Sequence, residues 1–496
     1  MLRAFFRDSL LYSAAGLLSR GISVLLVPLY TRVLSPADYG ALDMLMAFGA
    51  LVNLTVALEV TQGVARYYPE ASTPEEKGRI ASTALWFTLG AFSLFLAVGA
   101  YFAPGLGTLL LDSPERASLV RLSVAGIWAG GLFYFAQSQL RWQLQAARSA
   151  AISVLMSVTT AVVSVYLVVV ERAGVAGLLW GLLAGSALGA AAGLYLTRAS
   201  YRYGFDRARL AVMLRFSTPL VPSSIAVFVA MYVDRFAIKE LMTLDDVGLY
   251  GVGYRLASLA GLLMLGFQGA LTPLVFTHYR DPETPGQLAR LFRYFVAFAL
   301  LVVMGLSLFA SELLLVFTTP AWVAGAAVVP LLAPAVVLSG MYIFAPGLGI
   351  AKRTGGIATI TIVGAALNTA LNVLLVPRLG IAGAALGSFV SALAVFAAYM
   401  VASQRFYPVP HRWGRLALVV LACVVLVAAA PHLRLGLAAG IAAKLGFLVA
   451  AVGLAVAAGL VEPRELRDAW ASLTRRGGRP PPPRDVGAVA PAEGAR

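Results

Sequence analysis

The sequence is poor in the residues on which soluble folds and enzyme sites depend. Of its 496 residues only 12% are charged, and it holds one cysteine, Cys423, and three histidines. A single cysteine excludes an intramolecular disulfide and a cysteine-rich metal site. The chain also lacks the G-x-x-x-x-G-K-[S/T] loop, the H-E-x-x-H helix and the EF-hand pattern. We therefore expect no P-loop nucleotide hydrolysis, no catalytic residues, no metal and no cofactor.

Two things are present in excess: apolar residues, at 60% of the total, and positive charge, with a net charge of +15. An average soluble protein carries about 25% charged residues and fewer than half apolar ones. In a soluble protein the positive charge would indicate nucleic acid. Beside so much apolar sequence it is typical of cytoplasmic loops at a membrane. The composition predicts an all-α polytopic membrane protein with no nucleic-acid partner.

The apolar stretches set the number of predicted spans. A bilayer core of about 30 Å needs about 20 residues of helix, since each residue rises 1.5 Å. Fourteen stretches of that kind are bounded by charged residues or by Pro and Gly. They are 10–33, 39–61, 82–103, 118–137, 151–170, 174–196, 217–238, 248–276, 293–310, 328–350, 356–376, 381–402, 416–431 and 436–461.

The distribution of Lys and Arg predicts the orientation of these spans. If the N-terminus is cytoplasmic, only seven of the 38 Lys and Arg fall in outside segments and four fall within spans. Positive residues concentrate in cytoplasmic loops. We therefore expect both termini in the cytoplasm and the protein in the cytoplasmic (inner) membrane.

Two internal matches predict a repeat of six spans. Residues 34–40 (LSPADYG) match 242–248 (MTLDDVG) at an offset of 208, and residues 170–177 match 376–383 at an offset of 206. Because six is even, both copies have the same orientation, which is the parallel-repeat pattern of transporters. We expect two six-helix bundles around a central cavity, with two extra helices at the C-terminus.

The repeat predicts how the chain is divided. The four parts are an N-terminal six-helix lobe (1–205), a C-terminal six-helix lobe (206–402), appended helices 13 and 14 (403–461), and a basic, Pro-rich cytoplasmic tail (462–496). The composition of the tail cannot form a buried core, so we expect it to be disordered.

Polar and ionisable residues inside spans are the candidates for substrate binding. An ionisable side chain at mid-span costs roughly 2.5–3.5 kcal/mol, so it usually faces a cavity or a partner. The candidates are Arg20, Arg255, Arg235, Asp43, Glu59, Asp234, Asn368, Asn372 and Lys444. An arginine fork binds phosphate oxygens bidentately and stays charged, which suits a pyrophosphate.

Each candidate also has a purely structural interpretation. Arg20 pairs with Asp43 or Glu59, and Arg255 pairs with Asp234. Arg235 lies near a helix end, where extension of its side chain to the interface is favoured. Asn368 and Asn372 share one helix face, where hydrogen bonding between helices is favoured over substrate contact. Lys444 either reaches outward or lines a groove on spans 13 and 14.

Three blocks of residues carry a resemblance to a known family. They are Pro28 to Gly40, Asp234-Arg235 with Val247 to Arg255, and Asn368 to Pro377 with the glycines that follow it. The sequence resembles the polysaccharide-biosynthesis or oligosaccharide flippases of the multidrug/oligosaccharidyl-lipid/polysaccharide exporter superfamily. The resemblance covers spans 1–12 and implies two helical bundles that work by alternating access.

The resemblance also implies the cargo, an undecaprenyl-pyrophosphate-linked oligosaccharide that forms the repeat unit of a surface polysaccharide. The expected partners are that lipid, the surrounding membrane lipids and H⁺ or Na⁺ as a coupling ion. Two alternatives stay open: a multidrug or cation exporter of the same superfamily, and a membrane glycan polymerase or ligase. The short outside loops disfavour the enzyme.

Overall fold

The computed structural model describes residues 16, 18, 21–22, 25–202, 204–432 and 436–461. Arg20 and the tail from 462 onward, both assigned from sequence above, lie outside the described residues. The described chain is helical, with short 3-10 and π turns between or within helices. Its α-helices are α1 Val27–Val33, α2 Pro36–Thr55, α3 Val60–Tyr67, α4 Pro74–Tyr101, α5 Ala103–Leu111, α6 Ala117–Trp142, α7 Ala146–Val165, α8 Gly174–Thr197, α9 Arg207–Ser217, α10 Val221–Leu241, α11 Leu244–Ser258, α12 Leu262–His278, α13 Thr284–Leu308, α14 Ala310–Phe317, α15 Val329–Gly340, α16 Gly347–Ile350, α17 Thr354–Leu379, α18 Ile381–Gln404, α19 Trp413–Ala429 and α20 Leu437–Ala457.

The number of helices that can cross a membrane is smaller than the fourteen spans predicted. Within the described residues eleven helices are long and apolar enough, or twelve if the bent pair α2 and α3 is one span. Predicted span 13 falls on α19, which has only 17 residues, and 11 of the 24 residues of predicted span 1 lie outside the described residues. The chain is an all-helical, multi-pass membrane protein, and the count of fourteen is not confirmed.

The two segments matched at an offset of 208 begin their helices in the same way. Ser35 caps α2 by accepting a hydrogen bond from the backbone N–H of Asp38 at 3.2 Å. Thr243 caps α11 by accepting one from the backbone N–H of Asp246 at 3.3 Å. A hydroxyl at the N-cap satisfies a backbone donor that the first turn leaves without a partner. The sequence match therefore reflects one helix-start device used twice.

The same two helices cross at their first turns through a pair of glycines. A Cβ added at Gly40 would lie 1.9 Å from the carbonyl oxygen of Leu244, and one at Gly248 would lie 2.0 Å from that of Pro36. The backbones of α2 and α11 touch there, which only residues without a side chain permit. Gly40 and Gly248 occupy matching positions in the two similar segments, 34–40 and 242–248, so equivalent positions of these segments meet each other.

The crossing predicts a large difference in stability between two glycine-to-alanine variants. Gly40→Ala should lower the free energy of unfolding by about 1–3 kcal/mol, because its methyl group overlaps the Leu244 backbone. Gly90→Ala is the matched control: this exposed position on α4 has nothing within 4 Å, and alanine favours the helix by up to about 1 kcal/mol. Thermal unfolding in detergent measures both, and equal melting temperatures would contradict the crossing.

The second pair of matched segments also shares its local structure. Gly174 is the first residue of α8 and has a φ of +57°, and Gly380 directly precedes α18 and has a φ of +61°. This left-handed region is open to glycine at little cost. The glycines let the chain turn sharply from one predicted span into the next in both matched segments.

Candidate functional site

A buried ionic cluster joins helices from the two halves of the chain. The Nε of Arg235 on α10 donates to a carboxylate oxygen of Asp43 on α2 at 2.8 Å, and its Nη1 donates to Asp234 at 3.1 Å. The Arg235 and Asp234 side chains are 5% and 7% exposed. Two carboxylates thus face one guanidinium in a place that water hardly reaches. Such groups persist in a low dielectric only when they are paired and hydrogen-bonded.

Aromatic rings and a glycine complete the surroundings of this cluster. The guanidinium lies 4.5 Å from the ring centroid of Tyr254 and 5.3 Å from that of Tyr232. The Tyr250 hydroxyl donates to the second oxygen of Asp234. Gly251 on α11 leaves room for Asp43, whose carboxylate oxygen would lie 3.0 Å from a Cβ at that position. Three helices, α2, α10 and α11, therefore build one cluster.

The cluster corrects two sequence interpretations. Arg235 does not extend to the interface: it is 4% exposed and held by both carboxylates. Asp234 pairs with its neighbour Arg235 and not with Arg255. Depth along a span placed these residues at similar levels, but the rotation of each helix about its axis decides which charges meet, and the sequence does not supply that rotation.

Arg255 stands apart from the cluster. Its guanidinium carbon lies 4.6 Å from the ring centroid of Tyr39, and the side chain is partly exposed. Tyr39 is fully buried and also packs edge-on against Trp322 at 5.4 Å. Within the described part of the chain, no carboxylate forms a salt bridge with Arg255. Its positive charge is positioned by an aromatic face.

A cavity of about 610 Å³ lies beside the cluster. Its described lining is mainly aliphatic and aromatic, with several glycines and a few polar groups, and Glu59 is the charged one among them. Tyr232 and Met231 connect the cavity to the ionic cluster, because both line the cavity and both contact Arg235. The Tyr232 ring lies against the Arg235 guanidinium, and the Met231 carbonyl accepts a hydrogen bond from Nη1 of Arg235 at 3.2 Å. Of the predicted site residues that the structure describes, Glu59 alone is found in this lining.

The remaining candidates occupy separate positions. Asn368 donates from Nδ2 to the backbone carbonyl of Ala230 on α10 at 3.3 Å, and Asn372 donates to the Asn368 side chain at 2.7 Å. This is the hydrogen bonding between helices that the spacing favoured. Lys444 on α20 donates to Glu312 on α14, away from the cluster.

Sequence reasoning missed several partners. Tyr232, Tyr250 and Tyr254 lie within predicted spans, at successive intervals of 18 and 4 residues. This spacing gives no sign that all three rings surround Arg235. Lys239 is a further residue that the sequence did not single out: its side chain is 5% exposed and forms an ion pair with Asp112 at 2.8 Å. That ion pair joins the end of α10 to the end of α5, two segments that are far apart in sequence.

Comparison with known sequences identifies related proteins. The family described as "Polysaccharide biosynthesis protein" matches residues 29–327. The succinoglycan biosynthesis transport protein ExoT of Rhizobium meliloti is 29% identical over 281 residues, which cover 54% of this chain and 53% of that protein. The Lsg locus putative protein 1 of Haemophilus influenzae is 23% identical over 281 residues, covering 55% and 66%. The chain thus spans about half to two thirds of the length of these curated relatives.

Comparison with solved structures identifies the fold. The lipid II flippase MurJ in an inward closed conformation superposes with a TM-score of 0.70 at 14% identity, over 90% of this chain and 99% of that one. An inward-facing multidrug resistance transporter of the MATE family, in the MOP superfamily, gives 0.64 at 17% identity, over 78% and 95%. At these identities the likeness establishes the fold and nothing about cargo.

Proposed function

Since the chain belongs to the polysaccharide biosynthesis protein family, we propose that it is a flippase for an undecaprenyl-pyrophosphate-linked oligosaccharide. The cargo is the repeat unit of a surface polysaccharide, moved from the cytoplasmic to the outer leaflet of the cytoplasmic membrane. The observation that carries the proposal is the family match, supported by a relative named as a transport protein of succinoglycan biosynthesis. The transporter fold agrees with it.

The movement is alternating access between two lobes, 1–205 and 206–402, related by a pseudo-two-fold axis. The meeting of Gly40 with the start of α11 and of Gly248 with the start of α2 supports such an axis. The Lys239–Asp112 ion pair and a bond from the Trp322 indole to the Thr31 carbonyl at 2.9 Å also join the two parts of the chain. With the termini in the cytoplasm, these contacts close the outer end.

The Asp43–Arg235 pair acts in this scheme as a latch between the lobes. It joins α2 to α10 and must part, or carry α2 with it, when the outer end opens. Separating a buried ion pair costs free energy because each charge is left buried without a partner. Opening is therefore coupled to a change that supplies a new partner for each group. Binding of the cargo and of a coupling ion, H⁺ or Na⁺, supplies that change.

Arg255 is the residue that we assign to the pyrophosphate. Its charge is held by a ring and not by a described carboxylate, so it can accept phosphate oxygens without first breaking an ion pair. Arg20 belongs to the same proposed cationic site from its place in span 1. Asp43, Asp234 and Arg235 serve the latch, while Asn368 and Asn372 hold α17 against α10.

Cells in which the gene is deleted test the proposal. They should lose the surface polysaccharide and accumulate its lipid-linked repeat unit in the leaflet that faces the cytoplasm, and the wild-type chain should restore export. Extraction and analysis of the lipid-linked sugars measures how much of the repeat unit accumulates. If the deleted cells instead display single repeat units on the outer surface, the defect is in polymerisation and the proposal fails.

One observation favours a second candidate, an exporter of cationic drugs. Glu59 is the charged residue in the described lining of the cavity, and a carboxylate attracts cations. The family match and its relatives weigh against this function. Accumulation of a fluorescent cationic dye in cells with and without the protein separates the two, because a drug exporter lowers accumulation and a glycan flippase leaves it unchanged.

A polymerase or ligase is set aside, since the family and fold are those of transporters.

A further inference from the structure

The second predicted span breaks where it meets the cavity. Leu58 and Glu59 have φ of +49° and +52°, a left-handed conformation that residues with a side chain rarely adopt. Helices α2 and α3 meet there at 44°. Broken helices at membrane depth occur where they line a cavity, and strained backbone concentrates at functional sites.

The break is held open by hydroxyls from the following half of the chain. The Ser217 hydroxyl donates to the Leu58 carbonyl at 2.8 Å, and the Ser224 hydroxyl donates to Oε1 of Glu59 at 2.9 Å. The first bond satisfies a carbonyl that the interrupted helix leaves free. The second fixes one carboxylate oxygen of Glu59 and leaves the other for a further donor. Glu59 is therefore positioned at the cavity wall.

The cavity wall is mainly apolar, and its few polar groups and its aromatic rings match the groups of a sugar. Its polar groups besides Glu59 are the amide of Asn53 and hydroxyls that include Thr88, whose oxygen is buried and has no hydrogen-bond partner in the described residues. Tyr232, stacked on Phe228 at 5.1 Å, and the half-exposed Tyr134 supply aromatic faces. Amide and hydroxyl groups match the hydroxyls of a sugar, and aromatic rings cover the apolar face of its ring.

The same wall suits a phosphate poorly. No Lys or Arg is found in its described lining, and the Glu59 carboxylate would repel an anion in a place where charges are weakly screened. The cavity volume of about 610 Å³ lies within the range of about 300–1,000 Å³ that small-molecule sites occupy. The pyrophosphate and the glycan of a lipid-linked cargo thus have different chemical needs, and the described cavity meets those of the glycan.

We propose that this cavity receives the sugar portion of the cargo and that Glu59 determines which sugars enter, favouring neutral and amino sugars over sugars that carry a carboxylate. This inference rests on the proposed function. Glu59 accepts hydrogen bonds from sugar hydroxyls, while an acidic sugar brings a second carboxylate close to it. A tenfold discrimination corresponds to about 1.4 kcal/mol, which like charges at short range supply near a protein surface.

Vesicles that contain the full chain test the inference with two cargo lipids. Both are undecaprenyl pyrophosphates, one carrying glucose and the other glucuronic acid, so the pair differs in a single carboxylate. We expect the wild type to move the glucose lipid across the bilayer at least tenfold faster than the glucuronic acid lipid. In Glu59→Gln, which keeps the oxygen that Ser224 bonds, the ratio should fall to about twofold or less because the acidic cargo becomes acceptable.

A control carboxylate and a folding measurement make the outcomes distinct. Glu115→Gln removes an exposed carboxylate on a turn outside the cavity and should leave the ratio as in the wild type. Ser224→Ala frees Glu59 without removing its charge and should keep the preference for glucose, and thermal unfolding verifies that each variant is folded. A wild type that moves both lipids equally, or an unchanged ratio in a folded Glu59→Gln, overturns the inference and leaves the flippase standing. A wild type that moves neither lipid overturns both.

Discussion

Replacing Arg255 with alanine is expected to slow transbilayer movement of lipid-linked oligosaccharide at least tenfold while the protein stays folded and abundant. The guanidinium is the phosphate-binding group of the proposed site, and a charge-assisted bidentate contact contributes about 1.5–3 kcal/mol per hydrogen bond. Because Arg255 has no salt bridge in the described part of the chain, its loss leaves no buried carboxylate without a partner. Movement in reconstituted vesicles and thermal unfolding in detergent measure the two halves of this expectation.

Two companion variants sharpen the interpretation. Arg255→Lys keeps the charge but loses the planar fork, so it should fall between the wild type and Arg255→Ala. Arg66→Ala is the control, because it removes an exposed arginine from a surface pair with Glu70 and should leave movement unchanged. A folded Arg255→Ala protein with wild-type movement would remove Arg255 from the site.

Replacing Arg235 with alanine is expected to lower the stability of the protein, in contrast to the Arg255 variant, which stays folded. Here we expect a loss of about 3–5 kcal/mol in the free energy of unfolding, because Asp43 and Asp234 would stay buried without their common partner. The cation–π contact with Tyr254 is lost as well. Most of the protein should therefore fail to accumulate, and the remainder should unfold at a much lower temperature.

A neutral replacement of the whole cluster provides the test of this reason. The triple variant Asp43→Asn, Asp234→Asn, Arg235→Met keeps similar volumes and removes every charge of the cluster, so it should be more stable than Arg235→Ala alone. Arg66→Ala again serves as the control, since an exposed ion pair contributes only about 0–1 kcal/mol. If Arg235→Ala unfolds at the temperature of the control, the cluster is not the stabilising latch that its burial indicates.

Local features of the fold could be predicted from the sequence because they depend on residues close together. The match of 34–40 with 242–248 carries its own hydroxyl caps at Ser35 and Thr243 and its own glycines, so the two copies form the same helix start. The positive φ of Gly174 and Gly380 likewise follows from residues that recur at a fixed offset. The multi-pass helical class followed from the apolar content alone.

Partners across the bundle could not be predicted in the same way. Asp43 and Arg235 are 192 positions apart, and only the crossing of α2 with α10 and α11 brings them together. Lys444 finds Glu312 at a separation of 132 for the same kind of reason. Hydropathy gives the depth of a charge in the membrane but not the direction in which its helix presents it.

The break at Leu58 and Glu59 was also invisible in the sequence. The stretch 39–61 is almost continuously apolar, and neither position is glycine or proline, the residues that usually mark an interruption. The left-handed conformation is maintained by tertiary bonds from Ser217 and Ser224. A feature held by distant hydroxyls leaves no local signal, which is why Glu59 was predicted as a residue near a span end and is found at a bend in the cavity wall.

The measurement that bears most directly on the proposed function is the leaflet in which a lipid-linked oligosaccharide resides after the full chain is reconstituted into vesicles. A membrane-impermeant glycosidase reports the fraction of the lipid that faces outward. The flippase account predicts that lipid loaded on the inner face becomes accessible with the wild-type chain, much more slowly with Arg255→Ala, and hardly at all in protein-free vesicles. A folded wild-type chain that leaves the lipid as protected as protein-free vesicles do would contradict it.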